Sequence, residues 1–281
     1  MASSLQTQFK YLIIISIVSL TTLGSCTVYY NTSDLKKTFN QTQREVNKTL
    51  GKIAKDRRDK RGIYNQLLAK IPDSTAAPYP ELASELIIMT RSFKQLKQTA
   101  QQLEQMKANF SRLVKGRKKI ESGSSMWDDF QVIKDEYETQ TGNFESQAET
   151  YNKSSNKFIT LLNDHKITKI KVVEVRKQID NYMKELSEAI EQITLELDAY
   201  RNKPEADGAV LGELETILTS IQADQLSLQK KIKAFQKEVG SEPEVWSGPG
   251  VLSFTILGDM HQLGDKISEQ GKTFNKRAGK L

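Results

Sequence analysis

The chain has 281 residues, 37% of them apolar and 27% charged, with 41 Lys and Arg against 35 Asp and Glu. One cysteine excludes a disulfide-stapled fold. A mean hydropathy of −0.53, with charges mixed along the chain instead of blocked, fits helices that each bury one narrow stripe.

The chain begins with Met1–Lys10, which carries one side-chain cation and no acid. Tyr11–Leu20 is an apolar core softened by Thr21 and Thr22. It suits a secretory signal better than a spanning helix, which needs roughly 20 apolar residues. Leu23-Gly24-Ser25-Cys26 closes the run, and Cys26 is the only cysteine of the chain. This arrangement resembles the lipobox of bacterial lipoproteins, in which an aliphatic residue and two small residues precede a cysteine. The resemblance covers residues 1–26 and identifies a processing route, not a functional family. It implies cleavage between Ser25 and Cys26, thioether attachment of diacylglycerol to the Cys26 sulfur, and acylation of the new amine. A multiply acylated Cys26 would hold the protein permanently on a membrane. Thr27 follows the cysteine, where enterobacterial lipoproteins retained in the inner membrane carry aspartate. By the same resemblance the outer membrane is the expected address. The competing readings are a secretory signal cut elsewhere, with Cys26 a stray thiol, and an uncleaved signal anchor.

Residues 26–33 then form a tether, and Ser33 or Asp34 is the expected cap of a first helix. Its seam is Leu35, Phe39, Thr42, Val46, Leu50 and Ile53, failing over the charged run Lys55–Gly62 and resuming at Ile63, Leu67, Leu68 and Ile71. Gly62 predicts a bend or break there. Pro72–Pro80 reads as a loop. The second helix is the most regular, with Leu82, Leu86, Met89, Phe93, Leu96, Ala100, Leu103, Met106 and Phe110 at a period near 3.5. Lys115–Lys119 places cations at its expected C-terminal end, where they suit the helix dipole. Glu121–Ser125 is a turn, and Ser125 with Asp128 forms a capping pattern for a third helix. That helix carries Phe130, Ile133, Tyr137, Thr141, Phe144, Ala148, Tyr151, Ser155, Phe158 and Leu162.

Asn163–Thr168 turns the chain. Ile167–Val175 is rich in β-branched residues and has two readings, a strand or the start of a helix; the helical spacing of Val175, Ile179, Tyr182, Leu186, Ala189, Ile193, Leu197 and Tyr200 favours the helix. Pro204–Gly208 breaks it. Leu214, Leu218, Ile221, Gln225, Leu228, Ile232, Phe235 and Val239 make a fifth helix ended by Gly240, Ser241–Gly250 is a loop, and a last helix runs from about Leu252 to Phe274. The expectation is an all-α fold behind the signal peptide: an elongated antiparallel bundle or coiled-coil-like rod of five or six long helices. Helices of about 35 to 40 residues give a rod of about 50 to 60 Å. The first four helices would occupy residues 34–203, with a C-terminal hairpin at 204–281 packed on the same bundle.

No catalytic constellation accompanies these helices. The two histidines, His165 and His261, lie in unrelated segments without the Glu-x-x-His pairing of a di-iron bundle. Zinc spacing, a phosphate-cradling glycine loop and a nucleophile elbow are all lacking. Asp128-Asp129 beside Trp127 reads as dipole-favoured acids, and Glu185, Glu188, Glu191 and Glu196 as a solvated helix face. Lys55–Arg61, Lys115–Lys119 and Lys272–Lys280 could touch anionic headgroups or cell-wall polymer, but solvated helix ends are the plainer account. Nucleic acid is disfavoured by the export signal and by the lack of aromatic residues among these cations. Trp246-Ser247-Gly248 resembles the Trp-x-Gly hairpin of small secreted helical dimers, although length and signal differ; otherwise Trp246 plugs the end of the bundle. Five Asn-x-Ser/Thr sequons, at Asn31, Asn40, Asn47, Asn109 and Asn152, matter only in a eukaryotic secreted protein.

The expected function is therefore a lipid-anchored envelope protein that binds or scaffolds without catalysis. It would use no cofactor and no small-molecule substrate, and would meet a protein partner or a second copy through its helical seams. The runner-up is an α-helical pore-forming protein. For that the longest apolar segments beyond the signal, Leu86–Met89 and Val251–Leu257, fall far short of a span.

Overall fold

A computed structural model describes residues 28–71, 79–203 and 207–279. The expected signal peptide, Cys26 and most of the two proline-containing loops at 72–80 and 204–208 lie outside them. Among the described residues there are six helices: α1 (Thr32–Ala69), α2 (Pro80–Leu113), α3 (Ser125–Asp164), α4 (Val172–Arg201), α5 (Gly208–Val239) and α6 (Leu252–Ala278). Two small antiparallel sheets accompany them, β1 (Tyr29–Asn31) with β2 (Lys119–Glu121), and β3 (Thr168–Lys171) with β4 (Glu244–Ser247). The chain is an all-α helical bundle.

The first three helices bury a side chain at every seventh residue over most of their length, because a seven-residue step nearly closes two turns of helix. In α1 the buried positions are Thr32, Phe39, Val46, Ile53, Lys60 and Leu67. In α2 they are Leu82, Met89, Leu96, Leu103 and Phe110, and in α3 Phe130, Tyr137, Phe144, Tyr151 and Phe158. The α3 row is wholly aromatic. Thr141, Ser155 and Leu162 are buried four residues beyond Tyr137, Tyr151 and Phe158.

The described residues divide into two compact units that do not follow chain order, one within 28–45 and 101–141, the other within 46–100 and 142–279. The expected division near residue 203 falls inside the second. In the first unit Phe39 stacks on Phe110 with ring centroids 4.7 Å apart and tilts against Tyr137 at 4.4 Å. Phe130 meets both Phe110 and Trp127, at 5.5 and 5.4 Å. In the second unit α2 and α3 are antiparallel, as the pairs Glu85–Lys157 and Thr99–Gln147 require. The α4, α5 and α6 segments share one core built on Val172, Ile179, Leu186, Ile221, Leu228, Phe235, Val239 and Ile256. A second cluster, Leu197, Leu214, Leu218, Phe274 and Ala278, continues it through Ile190, Ile193 and Ile217. Cross-links Lys231–Asp259, Lys266–Asp224 and Arg277–Glu213 step in opposite senses along α5 and α6, which makes them antiparallel.

Several sequence expectations are corrected. The α1 helix starts at Thr32, with the Asn31 side chain accepting from the Ser33 amide at 2.9 Å, so the cap is Asn31 and not Ser33 or Asp34. That helix runs unbroken through Gly62, because the heptad position at Lys60 stays inside. The α2 helix ends at Leu113, which leaves Lys115–Lys119 beyond it, turning at Gly116, φ +74°, and entering β2 at Lys119. Ser124, not Ser125, caps α3, its Oγ accepting from the Trp127 amide at 3.2 Å. Ile167–Val175 divides between both readings: Thr168–Lys171 is strand, paired with Glu244–Ser247, and the helix begins only at Val172. Trp246 consequently lies in β4 and not in a turn, half-buried opposite Lys169. By contrast, Gly240 ends α5 as expected, at φ +56°.

Gly248 follows β4 because a Cβ there would stand 2.7 Å from Ile167 Cγ1 and 3.2 Å from its Cα. Gly271, within α6, meets nothing inside 4 Å. Gly248→Ala should therefore destabilise by about 1–3 kcal/mol in urea unfolding. Gly271→Ala should stabilise by about 0.5–1 kcal/mol. Equal effects of the two changes would contradict the close approach at Ile167.

Candidate functional site

Leu23, Gly24, Ser25 and Cys26, the expected lipidation residues, lie outside the described residues. Within them, chemistry-bearing groups gather in a partly buried polar cluster between α1 and α3, where the charged run Lys55–Arg61 was expected to be solvated. Lys60 occupies a seam position and is 6% exposed. Its ammonium pairs with Asp56, one turn earlier on the same helix. The other carboxylate oxygen accepts from Ser155 Oγ at 2.9 Å and from the Tyr151 hydroxyl at 2.9 Å. Tyr151 OH also lies 3.2 Å from Ile53 O, so its single proton is shared between the two, with the carboxylate the stronger acceptor. Arg57, next to Asp56, sits with its guanidinium carbon 4.7 Å from the Phe93 ring centroid.

The first unit holds an uncharged counterpart. Tyr137 OH donates to Phe39 O at 3.3 Å and also hydrogen-bonds Thr42. Phe39 and Ile53 are two heptads apart, as are Tyr137 and Tyr151, Thr42 and Asp56, and Thr141 and Ser155. The same tyrosine-to-carbonyl contact is therefore made twice, with a carboxylate in the second instance only.

Electrostatics follow from these partners. Burial works to raise the Asp56 pKa, but hydrogen bonds from Lys60, Ser155 and Tyr151, with the Lys60 charge, outweigh it and hold the carboxyl below the ordinary 3.8. Burial and the Asp56 charge drive the Tyr151 phenol strongly upward. Burial alone pushes Tyr137 up to about 12, against a small opposing effect of Thr42. Asp56 thus stays ionised and Tyr151 stays protonated at neutral pH. Lys60, Ser155 and Tyr151 all donate to this one carboxylate, so the arrangement fixes α1 against α3.

Other polar seam positions do similar work. Glu85, 4% exposed, receives Lys157 Nζ at 2.7 Å, and Thr99 Oγ1 donates to Gln147 Oε1 at 3.0 Å. In the C-terminal helices Asp224, 8% exposed, takes the seam place expected for Gln225 and accepts from Lys266 Nζ and Gln270 Nε2, each at 2.9 Å.

The remaining sequence candidates are not brought together. His165 tilts against Tyr79, centroids 5.3 Å apart, and faces Glu81 at 3.7 Å. His261 is exposed, 3.8 Å from Asp265. Asp128 and Asp129 are exposed in the first turn of α3, as are Glu185, Glu188 and Glu191 on α4. Among the described residues no group of three or more His, Cys, Asp or Glu is placed to hold a metal, and no helix is long and apolar enough to cross a membrane. No family model, curated protein or solved structure matches the chain.

Removing Asp56 strands a buried ammonium, whereas removing Lys60 leaves a carboxylate that two hydroxyls still satisfy. Asp56→Ala should cost about 2–4 kcal/mol and Lys60→Met less than about 1 kcal/mol, read by urea unfolding at pH 7. Because the folded Asp56 pKa is depressed, its contribution is complete above the ordinary 3.8 and is lost as pH falls through the lower folded value. The gap between wild type and Asp56→Ala should therefore close below about pH 4. A gap that stays constant down to pH 2 would contradict this.

Proposed function

We propose that the protein is a lipid-anchored bacterial envelope protein whose helical body binds or scaffolds without catalysis. The observation that carries this reading is the solitary cysteine, Cys26, placed directly after Leu23-Gly24-Ser25 at the end of an apolar run. The resemblance to a lipobox supports processing to an acylated Cys26, with Thr27 favouring the outer membrane. The helical body supports the non-catalytic half. Its interior is filled by its own side chains, and the buried Lys60, Glu85 and Asp224 each hold an ion-pair partner. What remains for a partner is the charged outer faces of the helices and the loops between them. A protein partner or a second copy of the chain is the occupant this surface suits best.

Cells producing wild type or Cys26→Ala and fed radiolabelled palmitate provide the test. Label should enter the wild-type chain, survive hydroxylamine at the amide-linked position, and sediment with membranes. Cys26→Ala should take up no label. Equal labelling of the two, or an unlabelled wild type, would rule out the anchor.

A further inference from the structure

The chain that leaves Cys26 is stitched at once to the loop after α2. Val28 O accepts from the Ser122 amide at 2.9 Å, and the Val28 amide donates to Ser122 Oγ at 3.1 Å. Tyr29, Tyr30 and Asn31 pair with Glu121, Ile120 and Lys119. Thr32 donates twice, from its amide to Lys118 O at 3.1 Å and from its hydroxyl to Arg117 O at 2.7 Å. Every residue from Val28 to Thr32 is thus fastened to Arg117–Ser122. Two residues of chain span at most about 7 Å, so a lipid on Cys26 would sit beside this sheet.

The surface gathered here has an interfacial composition. Lys115, Arg117, Lys118 and Lys119 are all exposed. Ile120 turns inward, so Lys119 and Glu121 face out beside Tyr29, and Lys119 Nζ lies 5.7 Å from the Tyr29 ring centroid. Tyr29 is 56% exposed on the face of Lys119 and Glu121, whereas Tyr30, 37% exposed, pairs with the inward Ile120 and stacks at 4.2 Å on the half-buried Trp127. Glu121, Asp128 and Asp129 are the acids of the same segment, and all three are exposed. Tyrosine and tryptophan beside lysine and arginine is the composition that settles at headgroup depth, where rings meet the acyl boundary and cations meet phosphates. One acyl anchor plus a basic patch also holds a protein far more firmly than either alone.

We propose that this end of the first unit, comprising β1, the Lys115–Lys119 loop and the Tyr30–Trp127 stack, lies on the anionic headgroup surface of the bilayer that holds Cys26. The proposal rests on the lipid-anchor reading and adds which surface faces the membrane. The occupant is a bilayer and not a soluble partner, because the patch adjoins the attachment residue and carries cations and rings together.

The test uses the full acylated chain carrying Trp246→Phe, which leaves Trp127 as the only tryptophan, reconstituted into vesicles containing brominated phosphatidylcholine with or without phosphatidylglycerol. Trp127 emission should be quenched in the anionic vesicles. Quenching should weaken in 0.5 M salt and fall several-fold with K115Q/R117Q/K118Q/K119Q, at about five-fold in surface affinity per cation before acids offset it. The control K272Q/K276Q, on exposed positions of α6, should leave it unchanged. Palmitate label in the same preparation reads the anchor separately. Labelled protein with unquenched Trp127, with equal quenching in neutral vesicles, or with no response to the four charges overturns the proposal and leaves the anchor standing. Unlabelled protein overturns the anchor, and with it the proposal.

Discussion

The helical body depends on one constraint: side chains withheld from water recur every seven residues, at up to six successive positions of a single helix. A straight helix has 3.6 residues per turn, so a strict seven-residue repeat keeps one narrow stripe facing its neighbours only if the helices pack side by side along their length. That explains how so little apolar residue content sustains long helices. Each helix spends its hydrophobic side chains on the stripe and leaves everything else charged or polar. It also explains why α1 continues through a segment with no apolar residue. Position 60 belongs to the stripe whatever occupies it, and the side chain there must be accommodated.

Lysine is accommodated by bringing its counter-charge along on the same helix and adding two hydroxyls from the facing one. Such a cluster gains little net stability over a hydrophobic filling, since desolvation offsets most of the attraction. What it supplies is discrimination. The Tyr151 and Ser155 hydroxyls meet Asp56 only when α3 lies in one register against α1; a slip by a heptad would bring Thr49 or Ile63 opposite and strand the charges. Glu85 with Lys157 and Thr99 with Gln147 impose the same requirement on α2.

Much of this was legible in the sequence. Six helices and most stripe residues of α2, α3 and α5 follow from spacing, because long amphipathic repeats carry a strong local signal, but Glu85, Ser92 and Asp224 are buried where Leu86, Phe93 and Gln225 were expected. The gap at Lys55–Gly62 misled because the reading asked for apolar residues instead of for position. Counting seven from Ile53 reaches Lys60, and seven more reaches Leu67. The strands were hidden for a different reason. Lys119-Ile120-Glu121 is three residues with one apolar member, and its partner lies some ninety residues earlier, so nothing local announces the pairing. Thr168–Lys171 did carry a β-branched signal, which the helical spacing downstream outweighed until the ladder to β4 decided it. Cys26 is the opposite case, a site visible only as pattern.

Anchor, tether and body then form one proposed sequence of events: a cysteine exported and acylated, a short chain stitched to a basic and aromatic edge, and a helical body whose few buried charges are paired while the rest face outward. Intact-mass and N-terminal peptide spectrometry of the protein extracted from the membranes of cells that make it tests this most directly. The account predicts a chain that begins at Cys26 and carries diacylglycerol on sulfur and a third acyl group on its amine. A chain beginning elsewhere, with the Cys26 thiol free, would contradict it.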